Sequence, residues 1–155
     1  MPVPASEPKV LIMSLIKTNW TAGNLTPSLT PDFHTGWWNP ASNSPQITFT
    51  SDSESFQGSS GYGAIEGGGG GPVQVVTGTL MANCWASRDQ GASGANPKLI
   101  VYEMAKEIRR IILANFSGVT NLNYVSVVRV DDVPPEGDPL KFRKSVTIGF
   151  NWRTT

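Results

Sequence analysis

The sequence predicts an α+β protein in which a mostly antiparallel sheet of four or more strands packs against an N-terminal helix and one long central helix. Three observations predict this class. Residues 73–153 contain, in turn, a strand-like run, a helical segment and two more strand-like runs. A second helical segment lies near the N-terminus, and an alternating segment precedes a long hairpin loop. The expected order is α-β-β-α-β-β in a single domain over residues 1–155.

The composition limits the classes of function. The chain has 155 residues, enough for one domain with a real core, and 12 basic residues balance 12 acidic ones. A net charge of zero means that general attraction to phosphate does not dominate binding, and a neutral surface favours self-association. One cysteine excludes an intramolecular disulfide. The apolar run at residues 10–16 is too short to span a bilayer and lacks the basic flank of a secretory signal, so we expect a cytoplasmic protein.

The N-terminal helix is predicted over residues 7–19. Ser6 suits the N-cap position, and Pro8 is tolerated in the first turn. The apolar residues that follow form a broad face. Residues 21–45 contain four prolines and no sustained periodicity, which predicts a loop. Trp37 and Trp38 lie in this loop, which cannot bury them by itself.

The next segments predict the first hairpin. Ile47 and Phe49 alternate with polar residues, as expected for a half-buried strand over residues 46–51. The loops are expected at about residues 20–45 and 52–72, and loops of this length are usually functional or disordered. The second strand is expected over residues 73–87, with Gly78 at a bulge or a close backbone approach.

The central helix is predicted over residues 97–115. Asn96 followed by Pro97 is a favourable helix start, and apolar residues then recur at helical spacing. Strands are expected over residues 124–130 and 141–152, joined by a rigid, proline-containing turn.

The candidate residues for catalysis do not match the patterns that such chemistry needs. The glycine run ends at Gly71 and is followed by a proline and a strand, whereas a phosphate loop needs lysine and a helix start. Cys84 and His34 are the candidate nucleophile and base. A cysteine in a strand beside tryptophan, however, is typical of an inert, buried thiol. One cysteine and one histidine do not make a zinc site. We therefore predict no catalytic residue, no cofactor and no metal, and a protein that is not an enzyme.

Two charged segments have ordinary explanations. The acidic residues between 131 and 138 lack the periodic spacing of a calcium loop, which favours a solvated turn. The basic residues of the last strand, with Phe142 and Trp152 between them, suggest a single-strand nucleic-acid face. Alternation places Phe142 and Lys144 on one side and Arg143 on the other, which favours an amphipathic strand.

The layout resembles the tail terminator (tail completion) proteins of long-tailed bacteriophages and related viruses. The resemblance rests on the N-terminal helix, the hairpin with a long tip, and a strand ending in the element Asn83-Cys84-Trp85-Ala86. It continues through the central helix to a last strand that ends in the aromatic–arginine pair Trp152-Arg153. It covers most of the chain, apart from residues 21–45 and the glycine-rich tip.

The resemblance implies a structural virion protein that forms a homohexameric ring in the host cytoplasm. Such a ring caps the tail tube, joins the tail to the head or neck, and lets DNA pass through its lumen without sequence recognition. The implied partners are further copies of the chain, the tail tube protein and a neck or head-completion protein, with no membrane. Contacts between subunits or with the tube are expected from Trp37, Trp38, Phe56, Tyr62, Gly67, Gly68, Gly69, Gly70, Gly71, Arg143 and Arg153.

Two other functions remain open from the sequence. The first is another neck, head-closure or tail tube component of the same particle. The second is a single-stranded nucleic-acid-binding module that uses the basic last strand.

Overall fold

The computed structural model describes residues 8–42, 45–57, 74–87, 96–119, 122–137 and 140–154. The helices in these residues are α1 (Pro8–Asn19) and α2 (Pro97–Ala114), with a short 3-10 turn at Ala22–Asn24. The strands are β1 (Asp32–Thr35), β2 (Gln46–Gln57), β3 (Gln74–Ser87), β4 (Tyr124–Glu136) and β5 (Lys141–Thr154). The predicted α+β class is therefore confirmed.

The described strands form one mixed sheet in the order β1-β2-β3-β5-β4. β2 pairs with β3, β3 with β5 and β5 with β4, all antiparallel, whereas β1 runs parallel to β2. This order leaves β1 at one edge of the sheet and β4 at the opposite edge.

The core lies between the two helices and one face of the sheet. Alternation along each strand sends every second side chain to this face. The large side chains that are fully buried within it are Ile12, Ile16, Ile47, Phe49, Leu80, Ile100, Met104, Ile108, Ile111, Ile112 and Ile148. Each contributes roughly 2 kcal/mol to folding. No described helix is long and apolar enough to cross a membrane.

Two local predictions are confirmed. The Asn96 side chain accepts a hydrogen bond from the Lys98 backbone N–H at 2.9 Å, which makes Asn96 the N-cap of α2. Gly78 lies where a side chain does not fit, because a Cβ atom there would be 2.4 Å from Cζ of Phe150. Gly78 therefore permits a close approach inside the sheet.

The loop predicted over residues 21–45 is partly wrong. It contains the 3-10 turn and β1, which pairs with residues 46–49 of β2. Four residues are too few to show a periodicity, and a parallel partner across a connection cannot be inferred from local pattern. The predicted order α-β-β-α-β-β accordingly lacks β1.

Two strands are much longer than predicted, and β5 ends at Thr154 rather than at residue 152. β2 continues through residues 52–57, which were assigned to the long loop, because their backbones pair with β3. β4 continues past Val130 through Pro134 and Pro135, with a register shift between Val133 and Glu136. An edge strand tolerates proline, since its outward backbone groups need no partner in the sheet.

Candidate interaction surfaces

The sheet face opposite the helices is polar. Thr48, Asn83 and Ser145 lie side by side across β2, β3 and β5, and all three are buried. The Ser145 hydroxyl donates to the Asn83 side-chain oxygen at 2.7 Å. Hydrogen bonds across strands thus satisfy polar groups that would otherwise be costly to bury.

A tryptophan–arginine stack, formed by Trp37, Trp38, Trp85 and Arg143, covers part of this polar face. The Trp85 side chain is 1% exposed and donates from Nε1 to the Thr48 hydroxyl at 2.9 Å. The rings of Trp37 and Trp38 lie 5.0 and 5.6 Å from the Trp85 ring. The chain that follows β1 therefore folds back over its own sheet.

Arg143 is held inside this stack. Its guanidinium carbon lies 4.7 Å from the centre of the Trp37 ring and 5.0 Å from that of Trp85. Its Nη1 donates to Asn83 at 3.2 Å and to Ser145 at 3.3 Å. Trp37 is nevertheless 52% exposed, so the stack presents one indole surface to solvent. Arg143 therefore links β5 to the segment that follows β1 within one chain. The exposed ring of Trp37 remains available to contact another molecule.

Cys84 and His34 do not meet. His34 lies beside Thr48 on the polar face, whereas Cys84 lies beside Ile47 on the face that packs against the helices. Burial raises the pKa of the Cys84 thiol far above its ordinary value, and the nearby charge of Lys144 lowers it much less. The sheet separates the two side chains, so this pair does not form a dyad.

The two aspartates of β4 each pair with a single cation. Asp131 pairs with Arg129 at 2.9 Å, and Asp132 pairs with Lys144 at 2.7 Å. Within the described ranges, no group of three or more histidine, cysteine, aspartate or glutamate side chains is placed to hold a metal ion.

A second surface, the α2–β4 groove, was not predicted. It has a volume of about 430 Å³ and lies between the end of α2 and the edge strand β4. Leu113 and Phe116 are 65% and 60% exposed there, and Arg109 lies beside them. Val128 and Val130, on the edge strand, line the groove from the other side. The signal in the sequence is the pair Leu113 and Phe116, two large apolar residues three positions apart at the end of α2 and just after it, outside its buried stripe.

For the other predicted contact residues, the structure gives a strand position or no description. The structure gives Phe56 and Arg153 only as strand positions, in β2 and β5, opposite Val76 and Val75 of β3. Tyr62 and the glycines Gly67, Gly68, Gly69, Gly70 and Gly71 lie outside the described residues. Of the predicted set, the structure brings together Trp37, Trp38 and Arg143.

Comparison of the chain with protein-family models found no match, and comparison with curated proteins found none either.

Proposed function

We propose that this chain is a structural virion protein that assembles into a ring, most simply a homohexamer, which caps the tail tube and joins the tail to the head or neck. The supporting observation is that the sheet formed by the described strands ends in an unpaired strand edge on each of two opposite sides, one of which borders the exposed α2–β4 groove. Subunits of a ring must offer two different patches to their neighbours. Unpaired strand edges readily accept a further strand.

In this proposal the helix-packed sheet is a rigid support and its periphery makes the contacts. The succession α-β-β-α-β-β predicted from the sequence is the layout expected of a tail terminator, and the structure adds the short strand β1 to it. The ring covers the last disc of the tube, so that the tube protein cannot add further, and it presents its other side to a neck protein. DNA passes through the lumen without base contacts, and no cofactor takes part.

The mass of the purified protein tests the proposal. Light scattering over a range of concentrations should show a species near six times the 16.6 kDa chain. A strict monomer at high concentration would contradict the ring. Adding the protein to growing tail tubes then separates a terminator from a tube component, since a terminator stops elongation and a tube protein extends it.

A second candidate, a single-stranded nucleic-acid-binding module, is supported by the tryptophan–arginine stack. Trp37 is half exposed, and Lys141 Nζ lies 5.4 Å from the Trp38 ring, so aromatic and cationic groups share one surface. Quenching of tryptophan emission by single-stranded DNA, with affinity falling steeply with salt, would favour this function. We rank it second because Nη1 of Arg143 is already engaged by Asn83 and Ser145 and its guanidinium group is stacked between Trp37 and Trp85.

A further inference from the structure

We propose that copies of this chain join edge to edge, with residues 51–55 of β2 in one copy pairing antiparallel with residues 124–127 of β4 in the next, and Glu54 approaching Arg109 across the contact. The inference rests on the proposed function in one respect, because the occupant of the edge is a second copy of the chain. The inference adds which strand edges of the two copies meet and in which register they pair.

No described strand pairs with the outer edge of β2 over this segment. β1 pairs with β2 only as far as Phe49, where the backbone N–H of Gly36 donates to the Phe49 carbonyl at 2.9 Å. Gly36 has φ +104°, and the chain then turns towards the tryptophan–arginine stack. Residues 51–57 therefore have no outer partner among the described strands.

This open edge lies level with the open edge of β4. Cross-strand pairing places Ser53, Thr79, Gly149 and Ser126 in one row across β2, β3, β5 and β4. Strand direction alternates from β2 to β4, so these two strands run antiparallel to each other. Two copies set side by side in the same orientation thus bring residues 51–55 of β2 in one beside residues 124–127 of β4 in the other, antiparallel and without a vertical offset. Beyond Val127, β4 lies level with β1 of the neighbouring copy, so the pairing with β2 ends there.

The charges at the two edges are complementary. Glu54 lies in the same row as Phe150 and Val125, which places it on the helix side of the sheet, where the α2–β4 groove opens. Glu54 is exposed and has no ion-pair partner among the described residues.

Arg109 is the matching cation. It lines the groove, and it too lacks an ion pair in the described part of the chain. Lys106 and Arg110, its neighbours on α2, are each paired with a glutamate. A solvent-exposed pair adds little affinity but selects direction and register, while covering Leu113 and Phe116 supplies the larger apolar gain.

Paired cysteines test the register directly. In one chain Ser53 and Ser126 are separated by three strand spacings, roughly 14 Å, which is beyond the Cα separation of about 7 Å that a disulfide can bridge. A disulfide in the double variant Ser53→Cys/Ser126→Cys must therefore join two copies, and the buried Cys84 does not compete. Mild oxidation should give a ladder of covalent oligomers that ends at the closed ring. In the control variant Ser53→Cys/Glu136→Cys, position 136 lies more than about 20 Å from position 126 along β4. This variant should give little cross-linked product.

Charge reversal tests the pairing of Glu54 with Arg109. Arg109→Glu and Glu54→Arg should each weaken assembly roughly tenfold, because each places like charges in contact at every interface. The two changes combined should restore assembly. Lys17→Glu, an equal change of charge at an exposed position of α1, should have no effect.

The outcomes separate this inference from the proposed function. A wild-type ring with no Ser53–Ser126 cross-link and no response to charge reversal overturns the edge pairing and leaves the ring standing. Cross-linked chains that grow without closing support the edge pairing and contradict the ring. A monomer that gives no cross-link contradicts both.

Discussion

At the scale of single residues, Glu107 of α2 fixes the end of α1 to the rest of the molecule. Its side chain is 3% exposed and pairs with Arg110 at 2.5 Å. It also accepts hydrogen bonds from the backbone of Thr21 at 3.2 Å and from the Asn24 side chain at 3.2 Å. Burial raises the pKa of Glu107, but the hydrogen bonds from Arg110, Asn24 and Thr21 together outweigh it, so the pKa lies below its ordinary value.

Replacing Glu107 by glutamine should lower the free energy of unfolding at neutral pH by about 2 kcal/mol, since an amide nitrogen would face the donors of Arg110. A lowered folded-state pKa means that the carboxylate stabilises the protein above about pH 4.3, the value for an unfolded glutamate. This stabilisation is lost as the pH falls through the folded-state pKa. Urea unfolding at pH 7 and in acid should therefore show a difference between wild type and Glu107→Gln that shrinks in acid.

The matched control for this measurement is Glu103→Gln, one turn away on α2. The Glu103 carboxylate lies 3.6 Å from Nζ of Lys106, which is 61% exposed, so its loss should cost about 0.5 kcal/mol or less. An undiminished effect of Glu107→Gln in acid would show that the charge of Glu107 is not what stabilises the fold.

Single residues also show where sequence-based prediction succeeds. The Asn96 cap and the close approach at Gly78 follow from the chemistry of one residue and its neighbours in the chain. The position of Arg143 between Trp37 and Trp85 does not, because it depends on the register of β5 against β3 and on the path of the chain after β1. Local sequence carries no information on such a register.

At the scale of elements, the connection between β1 and β2 is held to the sheet by Trp85. Trp85→Ala should lower the free energy of unfolding by about 3–5 kcal/mol, because a fully buried indole and its hydrogen bond to Thr48 are lost. The released rings of Trp37 and Trp38 should shift tryptophan emission to longer wavelength in the still-folded variant. Trp37→Ala should cost much less, since that ring is already 52% exposed. Equal losses from the two variants would mean that the connection is not held by Trp85.

The lengths of the strands were underestimated for a physical reason. Residues 52–57 are mostly small and polar, so neither periodicity nor β-propensity distinguishes them from the following loop. Pro134 and Pro135 are normally strand breakers, and only the position of β4 at the sheet edge makes them acceptable. The open edges that carry the assembly proposal were therefore not visible in the sequence.

At the scale of the whole molecule, the α+β class was predictable because helical and strand periodicities are local. The order β1-β2-β3-β5-β4 was not, since it depends on which strands meet after the chain has folded. The α2–β4 groove illustrates the consequence. Leu113 and Phe116 are conspicuous in the sequence, but their exposure follows from β4 ending the sheet beside α2.

Assembly through these edges should couple stability to protein concentration. A ligand or subunit that binds only the folded state raises the unfolding midpoint by mass action. The thermal midpoint of the wild-type protein should therefore rise with concentration, by several degrees over a hundredfold range for a domain of this size. Arg109→Glu reverses an exposed charge that has no ion pair among the described residues, so it should leave the midpoint of the dilute protein unchanged. It should shift the concentration dependence to roughly tenfold higher protein concentration, and the combined Arg109→Glu/Glu54→Arg variant should return it to the wild-type range. Scanning calorimetry at matched concentrations measures all three proteins, and a wild-type midpoint independent of concentration would contradict assembly through β2 and β4.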